Sequence, residues 1–464
     1  MIDSTALTLQ VRISEAILGI ALIVHCAPSS DITFRMPERS APRRAGDLSR
    51  QIERAVQATQ IDDIHTHLYD PAFGDLLLWG IDDLLVYHYL VAEALRYLPL
   101  PFNRFWQLSK TQQADLIWEQ LFLQHSPISE SCRGILTTLN ALGLDTRKRD
   151  LNSIRRWFAA RKPARHVDEV LDLAGVNTVC MTNSPFDDLE RPIWERGFRR
   201  HPRFKTALRI DPLLLDWPRS AQRLSEWGYQ VSRTLNAKTL GEVRRFLEDW
   251  GTRINAGFLM VSLPPNFAFP ARTAAAILIE KAVLPHCGDT GRPFALMPGV
   301  KRGVNPGLRL AGDGVGLSTL APLEYLCATY PQHKFAVTAL ARENQHELCV
   351  LARKFRNLHL FGCWWFTNTP SLIGEITRMR TELLGLSFTP QHSDSRVLDQ
   401  LIYKWRHSRT VIHQVLLEKY QDLEDTGWKV TEAELRRDVQ ALFGGEFARF
   451  CNFNPQSDVP NNPS

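Results

Sequence analysis

The chain has 464 residues and a formal net charge of +5, from 55 Lys and Arg against 50 Asp and Glu. With 44% hydrophobic and 23% charged residues, it has the composition of a globular protein able to bury one large core or two smaller ones. The basic excess is dilute and gathers only around 196–203, among Gly, Phe and Pro, so the sequence carries no nucleic-acid-binding stripe.

Residues 1–50 read as an N-terminal extension. The apolar run at 16–27 has the length of a signal-peptide core and is too short to span a bilayer. Two expectations follow: a weak secretory signal, or a translation start at Met36 that leaves 1–35 outside the protein. From residue 51, apolar runs rich in Val, Ile, Phe and Leu predict strands near 61–65, 176–181, 204–210, 257–262, 293–297, 335–338, 358–362 and 385–389. Helical patterns lie between the later ones, at 240–250, 272–282, 320–330, 344–355 and 372–384. The gap between the first two strands is too long for one helix. It holds helical patterns at 81–98, 111–125, 129–142 and 152–159, and reads as a helical insertion over 80–165. Closing helices are expected at 397–419 and 431–450, and a disordered, frayed tail at 454–464.

Apolar strands alternating with helices imply a parallel sheet buried on both faces. Eight such units predict an α/β fold, a closed (β/α)8 TIM-type barrel over 51–453. An open doubly wound sheet is the alternative, but no glycine-rich phosphate loop follows the first strand. The eight cysteines include no Cys-x-x-Cys pair, and several lie in apolar runs, which fits buried thiols in a reducing cytoplasm.

Asp63-Ile64-His65-Thr66-His67 ends the first strand. Residues two apart in a strand share a side, so His65 and His67 are expected to face the barrel mouth, where barrel enzymes carry their chemistry. Two imidazoles suit a divalent transition metal and need a further ligand. Thr389-Pro390-Gln391-His392-Ser393-Asp394-Ser395-Arg396 follows the eighth strand, which neighbours the first in a closed barrel, so Asp394 can join them. Each piece has a plainer reading: two polar strand-end histidines, a helix N-cap at Asp394, a surface charge at Arg396, and Tyr87-His88-Tyr89 packed on the barrel. Their joint placement favours a centre of His65, His67 and Asp394 holding one divalent ion, Zn or Mn.

With the His-x-His pair, His88-Tyr89, Gly362-Cys363-Trp364-Trp365-Phe366 and Ser393-Asp394-Ser395-Arg396 resemble motifs of the uronate isomerases, a branch of the amidohydrolase superfamily. Weaker similarity at 310–316 and 341–344 helps to carry the resemblance across residues 50–450. It implies interconversion of an aldose uronate, glucuronate or galacturonate, with its ketose. It also implies that the metal held by His65, His67 and Asp394 meets the sugar's carboxylate and C5 hydroxyl. Asp394 would accept a proton through that hydroxyl and start removal of the C2 hydrogen. Tyr89, supported by His88, would sit at the C1 carbonyl and relay protons between the C1 and C2 oxygens, and Arg396 would hold the C2 and C3 hydroxyls. A cis-enediol intermediate places negative charge on neighbouring oxygens, which an arginine and a phenol can stabilise. Arg302 matches a family arginine, and Trp364 and Trp365 read either as a wall of the substrate pocket or as core packing at a strand end. The chain departs from the family at Met297, which replaces a barrel-facing histidine, at Thr182-Asn183-Ser184-Pro185, which replaces an acidic pattern, and at 263–266, which replaces an Asp-His.

The residues leave two other functions open: a metal-dependent hydrolase of a lactone or amide, with Asp394 as proton acceptor, and a non-catalytic barrel that binds a sugar acid. The expected partner is a small-molecule sugar acid, with no nucleic acid and no membrane, and a homo-oligomer is left open.

Overall fold

The computed structural model describes residues 45–452. The run at 16–27, the Met36 start and the tail at 454–464 lie outside them. Nine strands fall among the described residues: β1 (Ile61–Thr66), β2 (Val176–Asn183), β3 (Phe204–Arg209), β4 (Ala256–Leu263), β5 (Phe294–Pro298), β6 (Val300–Lys301), β7 (Gly314–Val315), β8 (Phe335–Val337) and β9 (Leu358–Leu360). Seven of them form a curled parallel sheet in the order β1-β2-β3-β4-β5-β8-β9. The other two, β6 and β7, pair antiparallel in the connection that follows β5.

The sheet is apolar on both faces, and its residues alternate between two clusters. Val179, Leu208, Leu259, Val261, Phe294, Leu296, Phe335 and Val337 belong to the large core shared with the helices. Cys180, Ala207, Met260, Ala295, Met297 and Ala336, one residue out of step, form the second cluster with Phe361, Trp364, Trp365 and Phe447. The small side chains among them, Cys180, Ala207, Ala295 and Ala336, leave room for the sheet to curl around this face. The last helix, Glu446–Cys451, sends Phe447 into that cluster, with ring centroids 5.4 Å from Phe258 and 5.8 Å from Phe361.

The strand expected at 385–389 does not form. Gly385, at φ 63, ends the helix Pro370–Leu384, and Pro390 has no N–H with which to extend a ladder. The segment that follows still bonds to both edges of the sheet. Thr389 N donates to Leu360 O at 2.9 Å, and Gly362 N to Thr389 O at 2.8 Å. Asp394 N donates to His65 O at 3.1 Å, and His67 N to Ser395 O at 2.7 Å.

Between β1 and β2 lie the helices Ile81–Leu85, His88–Ala94, Lys110–Trp118, Glu130–Ala141 and Leu151–Ala159. The helix expected over 81–98 is broken at Val86 and Tyr87, so His88 opens a new helix. Ser109 starts the third of these with a capping box, its hydroxyl on Gln112 N and the Gln112 side chain on Ser109 N. Pro163–Ala174, not foreseen from the sequence, then leads into β2 through Gly175, whose φ of 65 suits a residue without Cβ. Gln400–Asp425 is the long closing helix, and its first two turns are buried almost throughout. All seven cysteines among the described residues are buried and free. No helix among the described residues is long and apolar enough to cross a membrane.

Candidate metal centre and active site

His65, in β1, and His67, just past its end, reach the inner face through an irregularity. Asp62 pairs with Thr178 and Asp63 with Val179, but the next partners are Thr66 and Met181, so β1 has one residue more than β2 over this stretch. Ile64 already faces the inner cluster. Strict alternation would therefore turn His65 and His67 outward, and the bulge shifts the phase so that both turn in. The expectation that they share a face holds, by a route that spacing alone does not reveal.

Asp394 arrives from the segment beside β1 with φ 51, a left-handed conformation that Asp tolerates better than most residues. Asp63 helps to fix this segment. Its carboxylate accepts from Ser393 N at 3.1 Å and from Trp405 Nε1 at 2.8 Å. As a result Asp394 Oδ1 lies 3.2 Å from His65 Nε2 and 3.4 Å from His67 Nε2. These are the separations expected of donors about 2.0–2.1 Å from a shared tetrahedral ion, whose edges are about 3.3 Å.

Both ring nitrogens of His65 and Asp394 Oδ1 are buried and lack a hydrogen bond among the described residues. Burying such atoms without partners is costly, and a divalent ion would satisfy Asp394 and one nitrogen of His65. His67 Nδ1 lies 3.2 Å from Thr182 Oγ1, which leaves Nε2 facing the centre. Burial, reinforced by the Arg396 charge, lowers His67 to about 3, so its imidazole is neutral and able to act as a ligand. Burial works against ionisation of Asp394, but contacts with His65 and His67 hold it well below the usual carboxylate range. The residues fit a divalent ion.

One pocket collects most of the residues singled out from the sequence. Its lining includes His65, His67, His88, Arg302, Trp364, Trp365, Asp394 and Arg396. Tyr89 is not among the lining residues. Its phenol oxygen is buried and, among the described residues, makes no hydrogen bond of normal geometry, and the ring packs against the inner cluster that contains Trp365. Burial pushes this phenol well above its ordinary value. Burial, with the Arg396 charge, lowers His88 to about 3, so it too is neutral. Arg302 reaches the rim from the β6–β7 connection, where Asp313 pairs with it and accepts from Gly303 N at 2.9 Å. Met297 is fully buried beside Trp364 and Trp365 and does not line the pocket.

Sequence reading missed Arg209 and Ser262; with Tyr87, read there as barrel packing, and Leu310, named only within a weaker similarity, they complete the lining. Arg209 ends β3, where Asp211 accepts from its Nε at 3.0 Å and from its Nη2 at 2.9 Å, and Ser262 Oγ lies 3.0 Å from the same Nη2. Its place at a strand's carboxyl end was the available signal. His392 was also missed. Its ring lies 4.9 Å from that of His65 with both nitrogens buried and unpartnered among the described residues, although it stood in the quoted segment beside Asp394.

A curled parallel sheet with a His-x-His, an Asp and an Arg gathered at one pocket defines a class: α/β proteins with a cluster that could hold a metal ion at the mouth of the sheet. No family model matches the chain, and no curated protein matches it. Among solved structures, a uronate isomerase from Bacillus halodurans C-125 is 50% identical, covering 89% of this chain and 98% of its own, with a TM-score of 0.88. Glucuronate isomerase from Caulobacter crescentus (16% identity, 90% and 96% covered, TM-score 0.70) and uronate isomerase from Thermotoga maritima (16%, 87% and 97%, 0.69) share the fold. The chain belongs to the uronate isomerase family.

Proposed function

We propose that this protein is a uronate isomerase that interconverts an aldose uronate, D-glucuronate or D-galacturonate, with its ketose through a cis-enediol. The carrying observation is the 50% identity to a uronate isomerase over 89% of the chain. The pocket that joins His65, His67, Asp394 and Arg396 supports it. The hydrolase reading is not favoured.

His65, His67 and Asp394 would hold the divalent ion, Zn or Mn, which supplies positive charge for the sugar's carboxylate and an adjacent hydroxyl. The chain's own groups do the rest. Asp394, kept ionised, accepts a proton. Arg209, braced by Asp211 and Ser262, offers a fixed positive charge to an anionic group, and Arg302 adds another at the rim. Arg396 presents a planar fork to neighbouring hydroxyls, which a lysine could not match. Tyr89, kept protonated, is a donor for the C1 oxygen and relays protons between O1 and O2 with His88 beside it. Trp364 and Trp365 wall off water. We assign the segment 388–395 the place of an eighth strand, closing a (β/α)8 barrel over 51–453 with the helical insertion at 80–165. Its hydrogen bonds to Leu360 and Gly362 on one side and to His65 and His67 on the other support this.

The test is ketose formation from each uronate by metal-reconstituted protein, with exchange of the C2 hydrogen in deuterated water. Both signals are expected on at least one sugar. Neither signal on any uronate, from protein with its metal filled, overturns the reading.

A further inference from the structure

Lys404 is a cation in a place where cations are rare. It stands in the second turn of the helix Gln400–Asp425, 4% exposed, and its Nζ has no hydrogen-bond partner among the described residues. Leu401, Ile402, Tyr403 and Trp405 around it are equally buried, so packing alone would favour an apolar side chain. A buried ammonium without a hydrogen-bonded partner is expensive, and replacing such a charge with a hydrophobe of similar volume commonly stabilises a protein.

The ammonium lies over the ring of Tyr89, 5.9 Å from its centroid. Tyr89 is itself incomplete: its phenol oxygen is buried, and among the described residues only the neighbouring Tyr87 phenol bears on it. The charged and titratable groups bearing on this pair come from every neighbouring element. Asp63 lies on β1, Tyr87 and His88 precede Tyr89, Glu130 lies on the insertion, Tyr403 lies on the helix, and His392 and Asp394 lie beside the sheet edge. Burial works against the charge on Lys404, and Asp394, Asp63 and Glu130 support it. Burial, Tyr87 and Asp394 all oppose negative charge on Tyr89.

We propose that Lys404 is a positioning residue for Tyr89: its ammonium, lying over the phenol ring, favours the negative charge that the Tyr89 oxygen bears while it relays a proton. This rests on the isomerase reading. In the relay Tyr89 gives its proton to O1 and regains one from the C2 hydroxyl, while Lys404 neither gives nor takes one. A cation over an aromatic face acts through the ring and needs no hydrogen bond, which accounts for an Nζ without one.

The experiment compares wild type, Lys404→Met, Tyr89→Phe and the double variant for kcat, KM and melting temperature, each with its metal content measured. Lys404→Met is expected to lose about 10- to 30-fold in kcat, the worth of a desolvated cation over a ring, with KM within about twofold. Its melting temperature should be unchanged or higher. The double variant should be no slower than Tyr89→Phe, because the ammonium acts only through the phenol. An unchanged kcat, a loss confined to KM, or losses that multiply in the double variant would overturn the proposal. Should Lys404→Met fail to fold, Lys404→Gln is judged by the same outcomes. Wild-type protein inactive on every uronate would sink the isomerase reading instead, so the two failures are distinguishable.

Discussion

Glu190 is a carboxyl group sealed inside the wall behind β2. It accepts from Trp194 Nε1 at 2.9 Å and from Ser184 N at 3.2 Å, and Tyr69 Oη donates to it at 3.3 Å. Burial outweighs these donors and raises the group from 4.5 to about 7. A carboxyl raised on folding contributes fully below its unfolded value, and that contribution is lost as pH rises through its folded value. Glu190→Gln, which keeps a neutral hydrogen-bonding group, should therefore differ least from wild type near pH 4.5. By pH 8 it should be the more stable, by on the order of 2–3 kcal/mol in denaturant unfolding. A constant difference across that range would show that Glu190 is ionised in the fold. Gly362 makes a steric prediction at the same scale. Its φ is +66, and a Cβ there would lie 1.7 Å from His392 Nδ1. Gly362→Ala should cost at least ~2 kcal/mol and, by displacing His392 from His65, lower metal retention on dialysis.

At the scale of elements, the connection from β6 to β7 brings Arg302 to the pocket. Trp106 Nε1 donates to Gly307 O at 2.8 Å and so docks this connection on the helices that follow β1. Asp313 closes it from within through Arg302 and Gly303. Asp313→Asn should raise KM for the uronate by about 3- to 10-fold, the worth of one or two hydrogen bonds, and leave kcat nearly unchanged. An equal fall in kcat would instead place Arg302 in the transition state. This connection also marks where sequence reading runs out. The sheet strands were legible because a parallel sheet buried on both faces requires continuous apolar runs, and each of the first seven expected positions holds one. The 300–315 stretch is rich in Gly and held by single contacts, so it carries no periodicity to read. The bulge at Ile64 and His65 is equally silent, because an extra residue in one strand shows only against its partner. Arg209 went unread because an Arg-x-Asp at a strand end looks like any surface ion pair until the neighbouring Ser262 is in place. His65 and His67 were legible because they stand at the end of β1. Asp394 and Arg396 were placed with them by an eighth strand that does not form, but the segment after Thr389 still runs beside β1 and brings them to the same pocket.

At the scale of the molecule, the candidate ligands join the two edges of the sheet. Asp63 and Ser393, 330 residues apart in the chain, already meet through a hydrogen bond. His65 lies in β1 and His67 just past its end, whereas Asp394 belongs to the segment that also bonds to β9 through Thr389. An ion shared by these three residues would therefore bridge the seam across which the sheet's first and last strands approach each other. Binding to the folded state alone stabilises it by about 2.7 kcal/mol at a hundredfold excess over Kd, which for a chain of this size is roughly 3 °C in melting temperature. Chelator-treated protein should melt lower by that amount and recover fully on adding back Zn or Mn. His65→Ala and Asp394→Asn should bind little metal and show no such rise. Because the seam is local, hydrogen exchange should slow on metal binding most at the amides of His67 and Asp394, which cross it, and least in β3 and β4, on the far side of the sheet. A metal-dependent rise in melting temperature that survives in both variants, or a slowing spread evenly over the sheet, would mean that the ion binds elsewhere.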